Sequence, residues 1–472
     1  MSNILTGIAF RLARAGALCV LVGASAAPAA AQLGGITGGV GGGIGVQGGI
    51  GPTEGLGGLE RLPERVVEPV IQPEAPLDRT AVPEVLDAAA ATAGDAADAL
   101  TDLGEAVNEI GRPPDPAAVA QDALGNPVVS NEVLTISPAP EGLALAQALN
   151  FSVLRDQVLD ALGMRIVTLG TPPGMSAAEG LNALRMADPN GAYELNHLYG
   201  PSASASRPGE GSASPAPLGG RGLAIGMVDG GIDRAHASLA QAKIEVANFG
   251  GVGDSPPSAH GTAVASLLVG RGAVNGAVPD ATLYAADAFG GQPAGGSAEA
   301  VVRGMAWIAG KGAKVINVSL VGPENAVLET ALNALSARGV VVVAAVGNDG
   351  PAARVGYPAA YDGVIAVTSV DRSRAIQVNA NRGPEVEFAA YGVDVAVAAP
   401  GNGYGRATGT SFAAPLVAAR FALKLAHPNE SAPHVKRDLA AEAADLGTPG
   451  RDDVFGYGFL EAAPDGGGAP RK

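Results

Sequence analysis

From residue 221 onward, short apolar runs alternate with helical segments, and this alternation constrains the fold more than any other feature of the sequence. Residues 340–343 are all valine, so both faces of a strand formed here would be apolar, as expected for a central strand that is buried on both sides. Strands that alternate with helices predict an α/β fold, a parallel sheet with helices on both faces. The predicted strands are 223–228, 283–286, 315–319, 340–346, 364–370 and 393–398. Polar residues at the carboxyl ends of such strands are the first candidates for a functional site.

The N-terminus has the pattern of a signal peptide over residues 1–31. Arg11 and Arg14 precede an apolar stretch, and alanines at 29–31 form a small-residue cleavage site. The apolar stretch is too short to span a bilayer. The only cysteine, Cys19, lies in this segment, so the mature chain is expected to lack disulfides, thiol catalysis and thiolate metal sites. We therefore expect a secreted or periplasmic protein.

Between the signal peptide and the α/β region, composition changes twice. Residues 32–129 are rich in Gly, Pro and Ala, which predicts a largely disordered region with one amphipathic helix near Leu100. Residues 130–199 read as strand, helix, strand, helix and strand. The fourth element begins with Ser176 followed by Glu179, the signature of a capping box. This order predicts a small α+β unit of ferredoxin-like type.

The net charge excludes some classes of partner. The chain carries 30 basic and 46 acidic side chains, a formal charge of −16. Nucleic acid needs Lys and Arg to neutralise its phosphates, and anionic lipid repels an acidic surface. We therefore expect no nucleic acid partner, and no later stretch of the sequence predicts a membrane span.

Three short motifs contain side chains that can take part in catalysis. They are V-D-G-G-I-D with Asp229 at a predicted strand end, H-G-T-A-V-A with His260 at a helix start, and G-T-S-F-A-A-P with Ser411 just inside another helix. Taken singly, each motif also has a purely structural interpretation: Asp229 as a turn residue, His260 as a surface residue, and the Ser411 motif as a helix cap. Together they provide a nucleophile, a base to take its proton, and a carboxylate to orient that base. Asn348, just beyond the valine strand, adds a donor for an oxyanion.

These motifs resemble the subtilisin-like serine proteases in their order, Asp, His, Asn and Ser. The intervals of 31, 88 and 63 residues also fit, and the similarity covers about residues 221–463. The resemblance implies a serine endopeptidase. In it, Asp229 orients the base, His260 is general base and then acid, Ser411 is the nucleophile and Asn348 is an oxyanion donor.

The resemblance also implies a substrate groove. Ser319, Leu320 and Val321 match the family segment that pairs with an extended peptide, and Gly356 matches the floor of the primary specificity pocket. Val321 stands where the family typically has glycine, which narrows this pocket. Gly356 leaves room for a large side chain. We expect a preference for apolar or aromatic residues before the scissile bond.

Residues 130–199 resemble the family's inhibitory prodomain, which would make this unit an intramolecular inhibitor. The resemblance implies self-cleavage after Tyr199, with Tyr199 filling the primary pocket. The catalytic domain would then cover 200–464 and a flexible tail 465–472. A permanently attached accessory domain is the alternative.

Two departures from the family pattern affect the expectations. Gly230 replaces the Ser or Thr that usually follows the catalytic aspartate, which predicts a looser orientation of Asp229. Ser238 stands where the family often has a calcium-binding carboxylate, and the loop 270–279 is short. We therefore predict no strong calcium site and no required cofactor, and leave structural calcium elsewhere open.

Other functions remain as alternatives. One is an inactive subtilisin-like module that binds peptides without cutting them. Another is a cell-surface structural protein, in which the Gly-rich segment carries the function. An esterase of the α/β-hydrolase type is disfavoured because its residues run Ser, Asp, His along the chain, whereas these run Asp, His, Ser.

Overall fold

The structure is a computed structural model, and it describes residues 119–201, 204–208, 217–292 and 294–461. The predicted signal peptide, the Gly-rich segment, the helix near Leu100 and the tail at 465–472 lie outside the described residues. No helix within the described ranges combines the length and apolar character that crossing a bilayer requires.

The N-terminal unit (residues 119–201) is an antiparallel sheet with two helices on one face. Four of its strands follow the order β5-β2-β4-β3, with one helix after β2 and one after β4. This is the ferredoxin-like arrangement that the sequence predicted. Its elements are β1 (Val119–Gln121), β2 (Pro127–Ile136), α1 (Pro140–Ala148), β3 (Ser152–Leu159), β4 (Met164–Gly170), α2 (Ala177–Ala187) and β5 (Tyr193–Pro201).

Local signals account for part of this unit, and two features differ from the prediction. Ser176 accepts a hydrogen bond from the Glu179 amide, and the Glu179 side chain bonds back to Ser176, so the predicted capping box is present. Strand β3 was not predicted, because its apolar positions are interrupted by Arg155 and Asp156. Strand β1 at Val119–Gln121 also precedes residue 130, where the sequence analysis placed the start of this unit.

The C-terminal domain (residues 217–461) is built on seven parallel strands in the order β15-β14-β13-β11-β7-β9-β8. Its elements, with one preceding strand, are β6 (Ser204–Pro208), β7 (Ala224–Asp229), β8 (Lys243–Asn248), α3 (Ala259–Val269), β9 (Thr282–Asp287), β10 (Gly296–Ser297), α4 (Ala298–Gly310), β11 (Val315–Val318), β12 (Leu320–Val321), α5 (Ala326–Ala337), β13 (Val341–Ala345), β14 (Ile365–Val370), β15 (Val386–Tyr391), β16 (Val395–Ala399), β17 (Gly403–Thr408), α6 (Thr410–Leu425) and α7 (Ala432–Glu442). The predicted parallel α/β sheet is confirmed.

Two sequence-based strand assignments differ from the structure. The run at 393–398 is not part of the parallel sheet, because β16 pairs antiparallel with β17 in a separate three-stranded sheet that also contains β6. The two edge strands β8 and β15 were missed. They occupy the two ends of the sheet, where an alternating or mixed sequence replaces the continuous apolar run of a central strand.

The sheet separates two hydrophobic cores, which places helices on both of its faces. Helices α3, α6 and α7 contribute to one core, and α4 and α5 contribute to the other. The second core also contains Leu134, Met164 and Ile166 of the N-terminal unit. The free face of the N-terminal sheet therefore packs on α4 and α5, and this docking brings β5 alongside the C-terminal domain.

Candidate active site

Asp229 and His260 are in direct contact at the carboxyl end of a central strand. Asp229 ends β7 and is fully buried. Its Oδ1 and Oδ2 atoms lie 2.8 and 3.0 Å from Nδ1 of His260, and Oδ1 also accepts the Gly230 amide at 2.7 Å. A carboxylate on Nδ1 fixes the imidazole so that Nε2 is the atom free to exchange a proton. That Nε2 atom is buried and has no hydrogen-bond partner.

The start of helix α3 brings His260 to this carboxylate. Ser258 is the N-cap, and its hydroxyl accepts the Gly261 amide at 2.9 Å. Position 261, after the histidine, is glycine for a steric reason. A Cβ there would lie 2.3 Å from the Gly230 carbonyl oxygen. Only glycine lets the helix approach the end of β7 closely enough for the histidine to reach Asp229.

The glycine at position 230 also has a packing explanation. A Cβ on Gly230 would lie 2.5 Å from the Ser258 hydroxyl oxygen and 2.9 Å from the Phe289 ring. The space that a Ser or Thr side chain would occupy is filled by these two residues. The backbone amide of Gly230 supplies a hydrogen bond to Asp229, so the carboxylate is held without a neighbouring hydroxyl.

Ser411 lies in the first turn of helix α6 and is tied to Ser319 by two hydrogen bonds. Its hydroxyl donates to the Ser319 carbonyl at 3.2 Å, and the Ser319 hydroxyl donates to the Ser411 carbonyl at 2.9 Å. Pro415 has no N–H, so it cannot supply the helical hydrogen bond to the carbonyl four residues earlier, which is that of Ser411. Ser319 replaces the missing donor. The ring of Phe412 packs on the His260 ring with centroids 5.6 Å apart, which joins the start of α6 to the imidazole.

Asn348 follows strand β13 and faces the same helix start. Its Oδ1 accepts the Thr410 amide at 3.1 Å and the Gln377 side-chain amide at 2.6 Å. Because both bonds fix the carbonyl end, the Nδ2 end is turned away from them, and Nδ2 is buried without a hydrogen-bond partner. Two unpartnered polar atoms, Nε2 of His260 and Nδ2 of Asn348, therefore lie around the start of α6. Sequence reasoning missed Gln377, which belongs to no motif and lies 29 residues from Asn348.

The groove residues form an edge that already holds a strand of this chain. Strand β5 of the N-terminal unit pairs antiparallel with β12, with Leu320 opposite Pro201 and Val321 opposite Gly200. On its other side β5 pairs with β10, with Gly296 opposite Tyr199. The end of the N-terminal unit thus lies as an extended segment between two strands of the C-terminal domain.

The position of Tyr199 differs from the sequence-based expectation. Its ring covers Gly322, where an ideal Cβ would lie 2.6 Å from a ring carbon, and its hydroxyl donates to the Pro323 carbonyl at 2.6 Å. Gly356 instead faces Val321, whose Cγ1 would lie 2.4 Å from a Cβ on that glycine. Tyr199 is therefore buried in a pocket other than the one between Val321 and Gly356.

Comparison with known proteins gives the chain its family. A sequence model of the subtilase family matches residues 220–458, which include all the motifs above. The chain belongs to the subtilase family. Subtilases of this kind are serine endopeptidases, and this subtilase is 36% identical over 249 residues to subtilisin DY of Bacillus licheniformis, a match that covers 51% of this chain and 88% of the relative.

A second relative and one solved structure extend the comparison. The minor extracellular protease Epr of Bacillus subtilis (strain 168) is 32% identical over 252 residues, covering 52% of this subtilase but only 39% of Epr. Fervidolysin from Fervidobacterium pennivorans is described as a keratinolytic enzyme related to subtilisin. It superposes with a TM-score of 0.60 at 21% identity, covering 71% of this chain and 60% of its own. That likeness supports the fold.

A further buried carboxyl group lies beside Asp229 in this subtilase. Asp287 ends β9 opposite Asp229 and accepts the amides of Phe289 and Gly290, both at 2.9 Å. Burial raises the pKa of Asp287, the two backbone amides oppose the rise, and the charge of Asp229 adds to it. The site therefore contains two neighbouring carboxyl groups in different environments.

An ion cluster joins the N-terminal unit to the C-terminal domain. Nε of Arg155 donates to both carboxylate oxygens of Glu299 at 2.8 Å, and its NH2 group donates to Glu132 at 2.7 Å. Burial lowers the pKa of Arg155, but the two carboxylates more than offset this and raise it. The Asn196 side chain accepts the Glu299 amide at 3.2 Å, in the first turn of α4. Both glutamates are almost fully buried, so they depend on these partners.

The calcium-related positions are engaged in other contacts. The Ser238 hydroxyl lies 3.2 Å from the Tyr404 hydroxyl, and its amide donates to Nδ1 of His236. Among the described residues, no group of three or more His, Cys, Asp or Glu side chains could hold a metal ion.

Proposed function

We propose that this subtilase is a secreted endopeptidase that cuts peptide bonds through an acyl-enzyme. Ser411 is the nucleophile, His260 the general base and then acid, Asp229 the orienting carboxylate and Asn348 an oxyanion donor. The observation that carries the proposal is the buried Asp229–His260 contact with an unpartnered Nε2 atom. A second unpartnered donor, Nδ2 of Asn348, lies beside the same helix start.

The reaction has two halves, formation of the acyl-enzyme and its hydrolysis, and His260 acts as base and then as acid in each. Ser411 Oγ attacks the peptide carbonyl carbon while its proton moves to Nε2 of His260. The carbonyl oxygen gains the negative charge and accepts hydrogen bonds from Asn348 Nδ2 and the backbone at the start of α6, where the helix dipole is positive. The C–N bond then breaks as Nε2 returns the proton to the leaving amine. Water then attacks the acyl carbon while its proton moves to Nε2, the ester bond to Ser411 Oγ breaks as Nε2 returns the proton to Oγ, and the carboxylic acid is released. Asp229 stabilises the imidazolium in both halves.

Substrate recognition in this proposal is strand addition. Ser319, Leu320, Val321 and Gly356 form the side of the groove that pairs with the residues before the scissile bond. Strand β5 occupies that edge, with its own backbone hydrogen-bonding to β12. This supports an inhibitory role for the N-terminal unit, which we propose to be a prodomain that blocks the groove of the catalytic domain until it is cut off.

Export is part of the same proposal. Residues 1–31 have a charged, apolar and small-residue order typical of a signal peptide. Epr, a relative over about half of this chain, is named as an extracellular protease. We place the mature enzyme in the periplasm or outside the cell.

Paired expression of wild type and Ser411→Ala, followed by intact-mass analysis, tests the proposal. We expect wild type to lose its N-terminal unit and to digest casein, and the variant to keep the unit and to be inactive. Labelling with a fluorophosphonate should occur in wild type and be absent in Ser411→Ala. Identical masses for the two proteins, with no casein digestion and no label in wild type, would leave a peptide-binding module as the function.

A further inference from the structure

Asp287 is a buried carboxyl group at the active-site end of the sheet, and the reaction described above makes no use of it. It ends β9 directly opposite Asp229 of β7. Side chains alternate between the two faces of a strand, so each aspartate shares a face with the residue two positions earlier. Those residues, Ala285 and Met227, belong to the core on the α3 side of the sheet. Both carboxyl groups therefore point to the face on which the helix of His260 packs.

One oxygen of the Asp287 carboxyl is held by the backbone, and the other has no partner. Oδ1 accepts the amides of Phe289 and Gly290, both at 2.9 Å. Oδ2 is buried and makes no hydrogen bond to any described residue. The nearby Ser255 hydroxyl opposes the burial that raises the pKa of this group, but no hydrogen bond joins it to Oδ2. A buried oxygen without a partner is unfavourable for folding, so stability alone does not explain an aspartate at this position.

A glycine turn joins Asp287 to the start of the helix that carries the catalytic histidine. A Cβ on Gly231 would lie 3.2 Å from Oδ2 of Asp287. A Cβ on Gly261, the residue that follows His260, would lie 2.7 Å from the Gly231 carbonyl oxygen. Gly231 is therefore in contact with both the carboxyl group and the helix start. Because it has no side chain, it lets the two approach closely.

The charged surroundings of Asp287 do not compensate a negative charge on it. Burial raises its pKa, the charge of Asp229 on β7 adds to the rise, and the groups that act most strongly on it in the described part of the chain include no cation. The residue paired with it on β8 is the uncharged Asn248. In α3, which packs on the same face, the one ionisable side chain is that of His260. The imidazole is thus the group that can respond to this charge.

We propose that Asp287 acts on catalysis through His260, by placing a second negative charge behind Asp229 that makes the imidazole more basic and stabilises the imidazolium formed in each half-reaction. The inference rests on the proposed peptidase function and adds a positioning residue to the same site. Asp287 itself exchanges no proton in the cycle, which moves between Ser411 Oγ, water, Nε2 and the leaving amine as described above. The role gives a use to a charge that burial makes unfavourable for folding.

The pH dependence of kcat/KM on a single quenched peptide measures this effect, because its acidic limb reports the ionisation of His260 in the free enzyme. The enzyme is the protein expressed from the full chain. Asp287→Asn keeps the size of the side chain and an oxygen for the two amides, and it removes the charge. We expect the midpoint of the acidic limb to move to lower pH by about 0.5–1 unit. On the alkaline plateau kcat should fall by up to about three- to tenfold, the rate equivalent of that shift, with KM nearly unchanged.

Asp254→Asn is the matched control. Asp254 is an exposed carboxylate on the loop before α3, so solvent and salt screen its charge and its removal should leave the midpoint within about 0.1 unit of wild type. The shift in Asp287→Asn should persist in about 0.5 M NaCl, because a buried charge is screened much less. Titrating active sites with a fluorophosphonate corrects kcat for any misfolded fraction, and the midpoint is independent of that fraction. Should Asp287→Asn fail to accumulate, Asp287→Ser removes the same charge and should shift the midpoint in the same direction.

The outcomes separate this inference from the proposed function. Equal midpoints in wild type and Asp287→Asn overturn the inference and leave the peptidase function standing, and fewer active sites at an unchanged midpoint would mean that Asp287 serves folding alone. Wild type that digests neither the peptide nor casein contradicts the peptidase function itself. The effect on His260 is then still decided by NMR titration of its ring in Ser411→Ala with and without Asp287→Asn, where the second change should lower the pKa of the imidazole.

Discussion

Gln377 is expected to act on catalysis without touching the substrate, by holding Asn348 in the orientation that presents its Nδ2 atom. Its amide donates to Asn348 Oδ1 at 2.6 Å, and the Thr410 amide is the second donor to that oxygen at 3.1 Å. Gln377→Met keeps the length of the side chain and removes the donor. The Asn348 side chain can then rotate, because only the hydrogen bond from the Thr410 amide still holds its Oδ1 atom.

The expected decrease in kcat depends on whether the positioning hydrogen bond or the Asn348 donor itself is removed. A net hydrogen bond contributes about 0.5–1.5 kcal/mol, and about 1.36 kcal/mol is a factor of ten in rate. Gln377→Met should therefore lower kcat by about 2- to 13-fold. Asn348→Ala removes the donor itself, and removing the equivalent donor from subtilisin costs about 10²–10³ in kcat. Because the oxyanion exists only after attack, KM should be nearly unchanged in both variants.

Steady-state kinetics on a single peptide separates positioning from folding. Gln377→Glu is the informative second variant, because a carboxylate against Asn348 Oδ1 repels it and should lower kcat more than methionine does. The double variant Gln377→Met with Asn348→Ala should be no slower than Asn348→Ala alone, since Gln377 acts through Asn348. A rise in KM at constant kcat, or additive losses in the double variant, would refute this role.

Three further predictions concern stability. Burial raises the pKa of Asp287, so the folded protein holds this proton more tightly than the unfolded chain does. The stability that the protonated carboxyl contributes is therefore lost as pH rises through the folded-state pKa. Relative to wild type, Asp287→Asn should raise the melting temperature more at about pH 8 than at about pH 4. Arg155→Met leaves two buried glutamates undercompensated, and in a Ser411→Ala background it should lower the free energy of unfolding in urea by about 2 kcal/mol, whereas a change near zero would mean that the cluster contributes nothing net. Ser319→Ala removes the donor to the Ser411 carbonyl, and we expect a loss of about 1–3 kcal/mol in the same assay, with Ser319→Thr as the hydroxyl-retaining control.

Much of the fold could be predicted because its signals are local. The central strands β7, β11, β13 and β14 are mostly apolar and contain no basic residue, and the capping box at Ser176 is contained in four residues. The missed strands carry charged residues: β3 contains the adjacent pair Arg155 and Asp156, β8 alternates charged with apolar residues, and β15 contains Glu387. The run at 393–398 was placed in the wrong sheet because strand propensity does not identify the partner strand.

The chemical groups of the site were determined by the sequence itself. Asp229, His260, Asn348 and Ser411 each lie in a short motif with its own steric requirements, such as the glycine that follows His260, and these requirements are expressed by neighbours along the chain. Composition and charge likewise follow from the sequence alone, as does the signal pattern at 1–31.

Only the tertiary structure decided how the groove is filled. The contact of Val321 with Gly356, the burial of Tyr199 over Gly322 and the bond from Gln377 to Asn348 join residues that are far apart in sequence. Each depends on distances of a few tenths of an ångström between packed segments, and on a strand register in which a shift of one residue moves every side chain to the opposite face. Residue identity alone left a valine and a glycine that favour opposite pocket sizes, and only the structure shows that the Val321 side chain packs against Gly356.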